Sequence, residues 1–503
     1  MNFKFSCLPA AAWLSFKEGG HRPQRLLRLL FVACLGVVSF AGLSQAQPPS
    51  PKLNQPGIEE VDRPQWKFFR YREDWSVLKD VPEPQRADPW DQIKYLPLDE
   101  QGAVWASFGG HMRLRFEDWT DFSFGAPATS DDAFLLWRLL LHSDLHLGKN
   151  LRVFVEGKSA LSEGRDLPDG RRTLDFDTIA LQQAFIDLRI HLPRQATLVL
   201  RPGRQSMGFG KQRLVSTLPW GNTLRAWDGI TGILQAGEWK THGFWSRFAP
   251  VQKYEFNDSD EGSEFFGVYG MGKIARTGLD LYWLGIDREG QSFNGTAGTE
   301  SRQTLGARIW GGFPNTSFDY DLEGAHQFGN LGSGGINAYM VATQVGYRFA
   351  DGWGRPRVFL GFDYASGDDS SGSDVETFNQ LFPLGHAHLG FMDIIGRQNI
   401  IDFNQGVALH PARKLTVNAN GHLFWRASDA DALYNAGGGV VRKGNAATAR
   451  NVGSEVDFTA KFKFDRHLLG LFGYSHFFAG DFIQDSGADN DVDFIYLQFQ
   501  YTF

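Results

Sequence analysis

Arginines and carboxylates at alternate positions are the residues of this sequence best placed to do chemistry. Arg113 and Arg115 stand two apart in one segment, and Asp319, Asp321 and Glu323 stand two apart in another. Side chains at i and i+2 of a strand point to the same face, so each set presents a row of like charge. By the same parity Arg138, Arg152, Arg189 and Arg308 join the basic set, with Lys158 and His142, while Asp144 and Asp187 join the acidic one. Rows of opposite sign facing each other across a narrow space create a transverse field and a ladder of weak hydrogen-bonding sites. Such a space passes a hydroxylated or anionic solute without trapping it. Opposite charges across a lumen also neutralise one another and hold a barrel round, which accounts for any single one of these residues equally well.

Hydrolysis would need a nucleophile, a base and an orienting acid in one place. Ser475-His476 and His386-Ala387-His388 supply candidates. Adjacent residues of a strand, however, face opposite sides, and spacing places no third ligand beside the two histidines. Asp258-Ser259-Asp260-Glu261 does not complete a calcium loop of the EF-hand kind. The expectation is of a protein that is not an enzyme and carries neither a cofactor nor a metal.

Elements of period two must position the charged rows. In Glu455–Phe464 the residues Val456, Phe458, Ala460, Phe462 and Phe464 alternate with Glu455, Asp457, Thr459, Lys461 and Lys463. Met112, Leu114 and Phe116 alternate with the arginines in the same way. The final residues repeat the pattern, with Ile495, Leu497, Phe499, Tyr501 and Phe503 on one face. About eighteen such segments run from residue 103 to residue 503, an even number as in bacterial barrels. The expected fold is an all-β, transmembrane antiparallel barrel, monomeric, whose last strand pairs with the first near residues 103–118 so that no edge faces lipid. Short connections such as Arg276-Thr277-Gly278 suit periplasmic turns. The longer polar ones at 257–264, 366–375, 427–453 and 485–491 suit extracellular loops.

Compartment and charge agree with this. Residues 1–46 carry Arg22, Arg25 and Arg28, an apolar run over 29–43 and a small-residue site at Ser44-Gln45-Ala46, the order of a secretory signal peptide. A lipid-modified Cys34 is the alternative. Both cysteines, Cys7 and Cys34, fall in this leader, so disulfides and thiolate metal sites are excluded from the remainder. Removing the leader leaves 45 basic against 56 acidic residues, a net charge of −11, which disfavours a nucleic-acid partner. Residues 47–102, rich in proline and charge, form a periplasmic lead-in, partly disordered at its start and with aromatics in its later half. Residues 103–503 form the barrel.

Several ordered motifs resemble those of the alginate export family of outer-membrane proteins, in its broad sense. They include Phe69–Trp75, Asp88–Tyr95, Phe108–Arg115, Gln183–Leu188, Arg201–Gln205, Gln212–Ser216 and Arg225–Gly229 in the first half. Tyr364–Asp368, Phe378–Pro383, Gly390–Gly396 and Gly473–Phe478 follow in the second. The resemblance implies a monomeric barrel of about eighteen strands, in the outer membrane of a Gram-negative cell, whose lumen passes a polyuronate through an arginine-rich constriction. It implies that Arg204, in Gly203-Arg204-Gln205, lines that pore. Outer-membrane lipid, the barrel assembly machinery (which would read Phe499, Tyr501 and Phe503) and periplasmic polysaccharide-export components are the implied partners. The acidic row Asp319–Glu323 departs from an arginine-rich constriction and would repel a polyuronate there. The alternative function is a substrate-selective porin for uptake or efflux of small solutes.

Overall fold

Alternation of apolar and polar side chains along extended segments gives the chain one face for hydrocarbon and one for a polar interior. Only closure of the sheet then satisfies its edges. In the computed structural model, residues 61–82, 85–369, 374–444 and 448–503 are described. The proposed leader, both cysteines and the start of the lead-in lie outside the described residues. The first barrel strands are β1 (Val104–Thr120), β2 (Asp132–Leu147), β3 (Leu151–Glu163), β4 (Asp177–His191), β5 (Thr197–Gln205) and β6 (Ala226–Ala236). There follow β7 (Trp239–Ala249), β8 (Ser263–Ile274), β9 (Thr277–Phe293), β10 (Thr296–Gly312), β11 (Phe318–Leu331) and β12 (Gly334–Arg348). The last are β13 (Arg357–Ala365), β14 (Ile400–Ala412), β15 (Leu415–Trp425), β16 (Asn451–Lys463), β17 (Leu468–Ala479) and β18 (Val492–Thr502).

Each strand pairs antiparallel with its neighbours in sequence, and β18 returns to β1. The closing register runs from His111 opposite Thr502 to Thr120 opposite Asp493. At its end Gly110 and Phe503 exchange backbone hydrogen bonds of 2.9 and 3.0 Å. The barrel of eighteen strands is therefore closed, as the terminal strand's pattern predicts. Phe108, Leu141, Val155, Leu281, Leu305, Leu360 and Phe458 stand exposed on the outer face, while His111, Arg113, Arg115 and Glu117 are buried on the inner one. Short turns gather at one end, which in bacterial barrels is periplasmic, and most of the long loops at the other.

The core lies inside the lumen rather than between layers. Two long connections turn inward, residues 206–225 between β5 and β6 and, between β13 and β14, residues 374–399. Phe382 of the second packs edge-on against Trp227, with ring centroids 5.3 Å apart, and against Phe265 at 5.0 Å. Phe209 of the first stacks on Tyr269 at 4.9 Å, and Tyr269 on Tyr282 at 5.1 Å. Diverting 206–225 inward leaves the wall short above β5. Residues 250–262 patch it: Lys253 accepts the Thr178 amide at 2.9 Å, and Asn257 donates to Asp177 at 3.0 Å.

Residues 61–82 and 85–103 dock at the short-turn end over the closure seam. Arg70 is buried, donates to Glu73 at 2.7 Å, and sends its other nitrogens to the carbonyls of Gly110 and Phe503, each at 3.0 Å. Trp90 stacks on Phe503 at 4.3 Å and donates to the Tyr501 hydroxyl at 2.9 Å. Phe69 and Tyr71 enter the lumen, where Tyr71 packs edge-on to Phe185 at 5.2 Å. Removing the Arg70 guanidinium would strand the buried Glu73 carboxylate, a loss of about 3–5 kcal/mol. Arg70→Ala is therefore expected to expose the lead-in to trypsin while the barrel keeps its heat-modifiable migration. A lead-in as protected as the wild type's would show that Arg70 is not its anchor.

Candidate functional site

The lumen's charged rows act first on main chain. From β1, Arg113 donates to the carbonyls of Pro219, Trp220 and Gly221 at 2.8–3.1 Å, and to the Asn222 side chain at 3.1 Å. Arg115 donates to the Trp220 carbonyl at 2.7 Å, and its guanidinium lies 3.9 Å over the Trp220 ring. From β2, Arg138 donates to the Gly221 carbonyl at 2.8 Å. Such charge-assisted bonds are shorter and about twice as strong as neutral ones. They fix one end of the 206–225 segment to the basic wall.

The other end is fixed to an acidic wall about half the circumference away. Arg213, within the segment, bridges Asp321 at 2.9 Å and Glu323 at 2.7 Å, both on β11. Burial opposes the Arg213 charge, but Glu323, Asp363 and Asp321 together raise its pKa above the ordinary value. Tyr282 adds a hydrogen bond to Glu323 at 3.0 Å, and Arg308 pairs with Asp321 at 2.5 Å and with Asp280 at 2.9 Å. Residues 206–225 are thus a strut across the lumen. Gly210 (φ +54°) makes the turn possible, since a Cβ there would meet the Tyr269 hydroxyl at 2.4 Å.

The second inward segment lies along the first. Phe382 donates its amide to the Leu214 carbonyl at 2.9 Å and accepts the Ser216 amide at 2.8 Å. Arg225 donates to the Pro383 carbonyl at 2.8 Å. His386 stacks on Trp220 at 3.7 Å and on Phe391 at 4.6 Å. At β16, Glu455 accepts the Met392 amide at 3.0 Å; Gly390 (φ +89°) permits this approach, because a Cβ would lie 2.4 Å from that carboxylate. Cavities remain on both sides of the strut. One of about 650 Å³ opens on the long-loop side, lined by Arg115, Arg172, Arg225, Trp220, Asp393 and Phe391 among others. One of about 470 Å³ lies on the short-turn side, beside Lys240, Lys273, Asp280 and Arg308.

These placements sort the residues named from sequence. Arg113, Arg115, Arg138, Asp321 and Glu323 come together on the strut, and Arg308 is linked to it through Asp321. Asp319 pairs instead with Arg357 at 2.5 Å, and Arg152 with Asp144, both nearer the short-turn end. Arg189 stands exposed at that end of β4. Arg204 departs from the expected pore lining. It opposes Asp228 and bonds its carboxylate at 2.6–2.7 Å, while Gln205 opposes Trp227, which is fully buried on the inner face. Strand alternation therefore puts Arg204 and Asp228 on the outer face. Arg201 and Gln205, four apart, both face inward, so unbroken alternation through Gly203 gives the same outer placement for Arg204. Ser475 donates to Asp457 at 2.6 Å, whereas His476 bonds Asp493 on the opposite face, so the two form no catalytic pair. His386 and His388 are held neutral, their pKa values driven well below the usual one by burial and then by neighbouring arginines.

Sequence reasoning missed the strut itself, with Arg213 and Arg225. Its signal is the loss of alternation between Gln205 and Ala226, where glycine, proline and arginine interrupt apolar residues. Arg213→Ala removes one of the strut's two fixings and leaves two carboxylates short of a partner, at about 3–5 kcal/mol. Its expected result in a planar bilayer is a larger and noisier single-channel conductance. An unchanged conductance would mean that the strut is held without the acidic wall.

Comparison with known proteins places this geometry. No curated protein sequence matches the chain. Among solved structures, OccAB3 of Acinetobacter baumannii superposes with a TM-score of 0.56 at 11% identity, covering 79% of this chain and 99% of that one. OccK2 (OpdF) of Pseudomonas aeruginosa does so at 0.53 and 13%, covering 80% and 97%. OccK3 (OpdO) of the same organism gives 0.52 and 13%, over 79% and 95%. These likenesses show the fold of outer-membrane porins. The profile of the alginate export family matches residues 104–495, nearly the whole barrel. The chain belongs to the alginate export family and is an outer-membrane channel.

Proposed function

We propose that this channel is selective for small hydroxylated carboxylates, a single uronate being the type, rather than a conduit for a long polyuronate. The observation that carries this reading is the strut of residues 206–225, tied to arginines on one wall and to Asp321 and Glu323 on the other. A polymer needs a continuous bore, whereas a strut with cavities of about 650 and 470 Å³ beside it suits a solute that moves between stations. The acidic row is also neutralised by Arg213, Arg308 and Arg357, so it does not repel an anion as an open row would. OccK2 has been solved in complex with glucuronate and OpdK with vanillate, which makes these two carboxylates natural first probes.

A second reading is supported by the family match: export of a polyuronate delivered by periplasmic polysaccharide-export components, with the strut displaced. Planar-bilayer recording separates the two. Glucuronate should cross, shown by its contribution to the reversal potential, and should reduce chloride current. Oligouronates of about ten units should block without crossing, since each added unit adds a charge for the same arginines. Passage of the long oligomers would overturn the small-solute reading. Arg204→Ala, on the outer face, is expected to leave ion selectivity as in the wild type; a lost anion preference would return Arg204 to the lumen.

A further inference from the structure

Most charges around the larger cavity are already matched. Arg115 pairs with Glu117 at 2.7 Å, and Arg165 and Arg172 share Asp175 at 3.4 and 2.7 Å. Asp169 is exposed at the rim. Two groups stand apart. Among the described residues, Arg225 makes its hydrogen bonds to the main-chain carbonyls of Ser216 and Pro383, which leave its charge uncompensated. Asp393 has one oxygen buried with no hydrogen-bond partner, and its nearest cation-capable neighbour is the neutral His386 at 3.8 Å. Arg225 and Asp393 line the same cavity and interact through space.

We propose that Asp393 is the specificity-determining residue of this cavity: its carboxyl competes with a solute carboxylate for the charge of Arg225. The inference rests on the small-carboxylate reading above and deepens it. With Asp393 neutral, the cavity presents Arg225 as a net positive charge together with a carboxyl hydroxyl able to donate to an arriving carboxylate. With Asp393 ionised, the charge is cancelled and a like charge faces the solute.

Every element packed around Asp393 contributes to its setting. Strand β1 presents Arg115 and Glu117, the 164–176 loop Arg172, the strut Arg225, β16 Glu455, and its own segment His386. The segment 426–444 adds the uncharged Ala436, whose amide donates to the Asp393 carbonyl at 3.2 Å. Burial is the largest influence and pushes the Asp393 carboxyl up to about 7, with Arg115 opposing and Glu117 adding to it. The group is therefore protonated below about 7 and ionised above it. Glucuronate and the arginines keep their charges throughout that range.

The test is block of chloride current by glucuronate through the full-length channel in a planar bilayer, with glucose as the uncharged control. For the wild type, the half-blocking concentration should rise at least about fivefold from about pH 5.5 to about pH 8.5, as expected for one charge gained in a partly dry site. Asp393→Asn should block equally well at both pH values, at the wild type's acid-side concentration. Arg225→Gln should weaken block at both, and glucose should show no pH trend. A pH-independent block in the wild type overturns the role of Asp393 whether or not the variants fold. So does an unaltered pH trend in Asp393→Asn. No block at any pH would instead overturn the small-carboxylate reading itself.

Discussion

A strand edge in hydrocarbon has no water to satisfy its amides and carbonyls, and the rest of this structure follows from that constraint. It requires β18 to return to β1, which the Gly110–Phe503 exchange completes. Closure fixes which side chains face inward, and inward-facing arginines and carboxylates cannot be left bare in a narrow lumen. The two inward segments answer that requirement. Carbonyls of residues 219–221 meet one wall and Arg213 meets the other, so chain drawn in from the long-loop side supplies partners to both charged rows. The same constraint explains the seam. Arg70 caps the carbonyls of Gly110 and Phe503 where the ladder runs out.

The lumen is consequently a folded interior with a hydrophobic core of its own. Phe382, Trp227 and Phe265 pack there as they would in a soluble domain, while the outer face carries the residues that such a domain would hide. Lead-in and strut nearly meet, since Phe69 lies 3.5 Å from the position of a Cβ on Gly208. A displacement of the docked segment at the periplasmic end would be felt by the strut without passing through the wall.

Much of the wall was legible from sequence because lipid imposes period two on every strand. Val456–Phe464, Met112–Phe116 and Ile495–Phe503 announce themselves, and the closing register, His111 to Thr120, overlaps the expected segment 103–118 and runs two residues beyond it. The strut was not legible. Its residues have no period, and the groups that Arg113, Arg115 and Arg138 hold are carbonyls, which every residue carries. Arg204 misled because its place in the pore was taken from the resemblance of Gly203-Arg204-Gln205, whereas plain alternation between Arg201 and Gln205 puts it on the outer face. Arg225 and Asp393 stood within recognisable motifs, but their isolation from other charges is a property of the folded cavity.

The strut's attachment through carbonyls bears on how this architecture diversifies. A tether that grips main chain keeps its hydrogen bonds when a side chain changes, although the Trp220 ring adds contacts to Arg115 and His386. Positions of the crossing segment that face the cavity can therefore change while its carbonyls stay bound to the wall. The barrel and its arginines then form a fixed chassis. Selection for a new solute can act on a short stretch of chain inside it, at little risk to folding or membrane insertion.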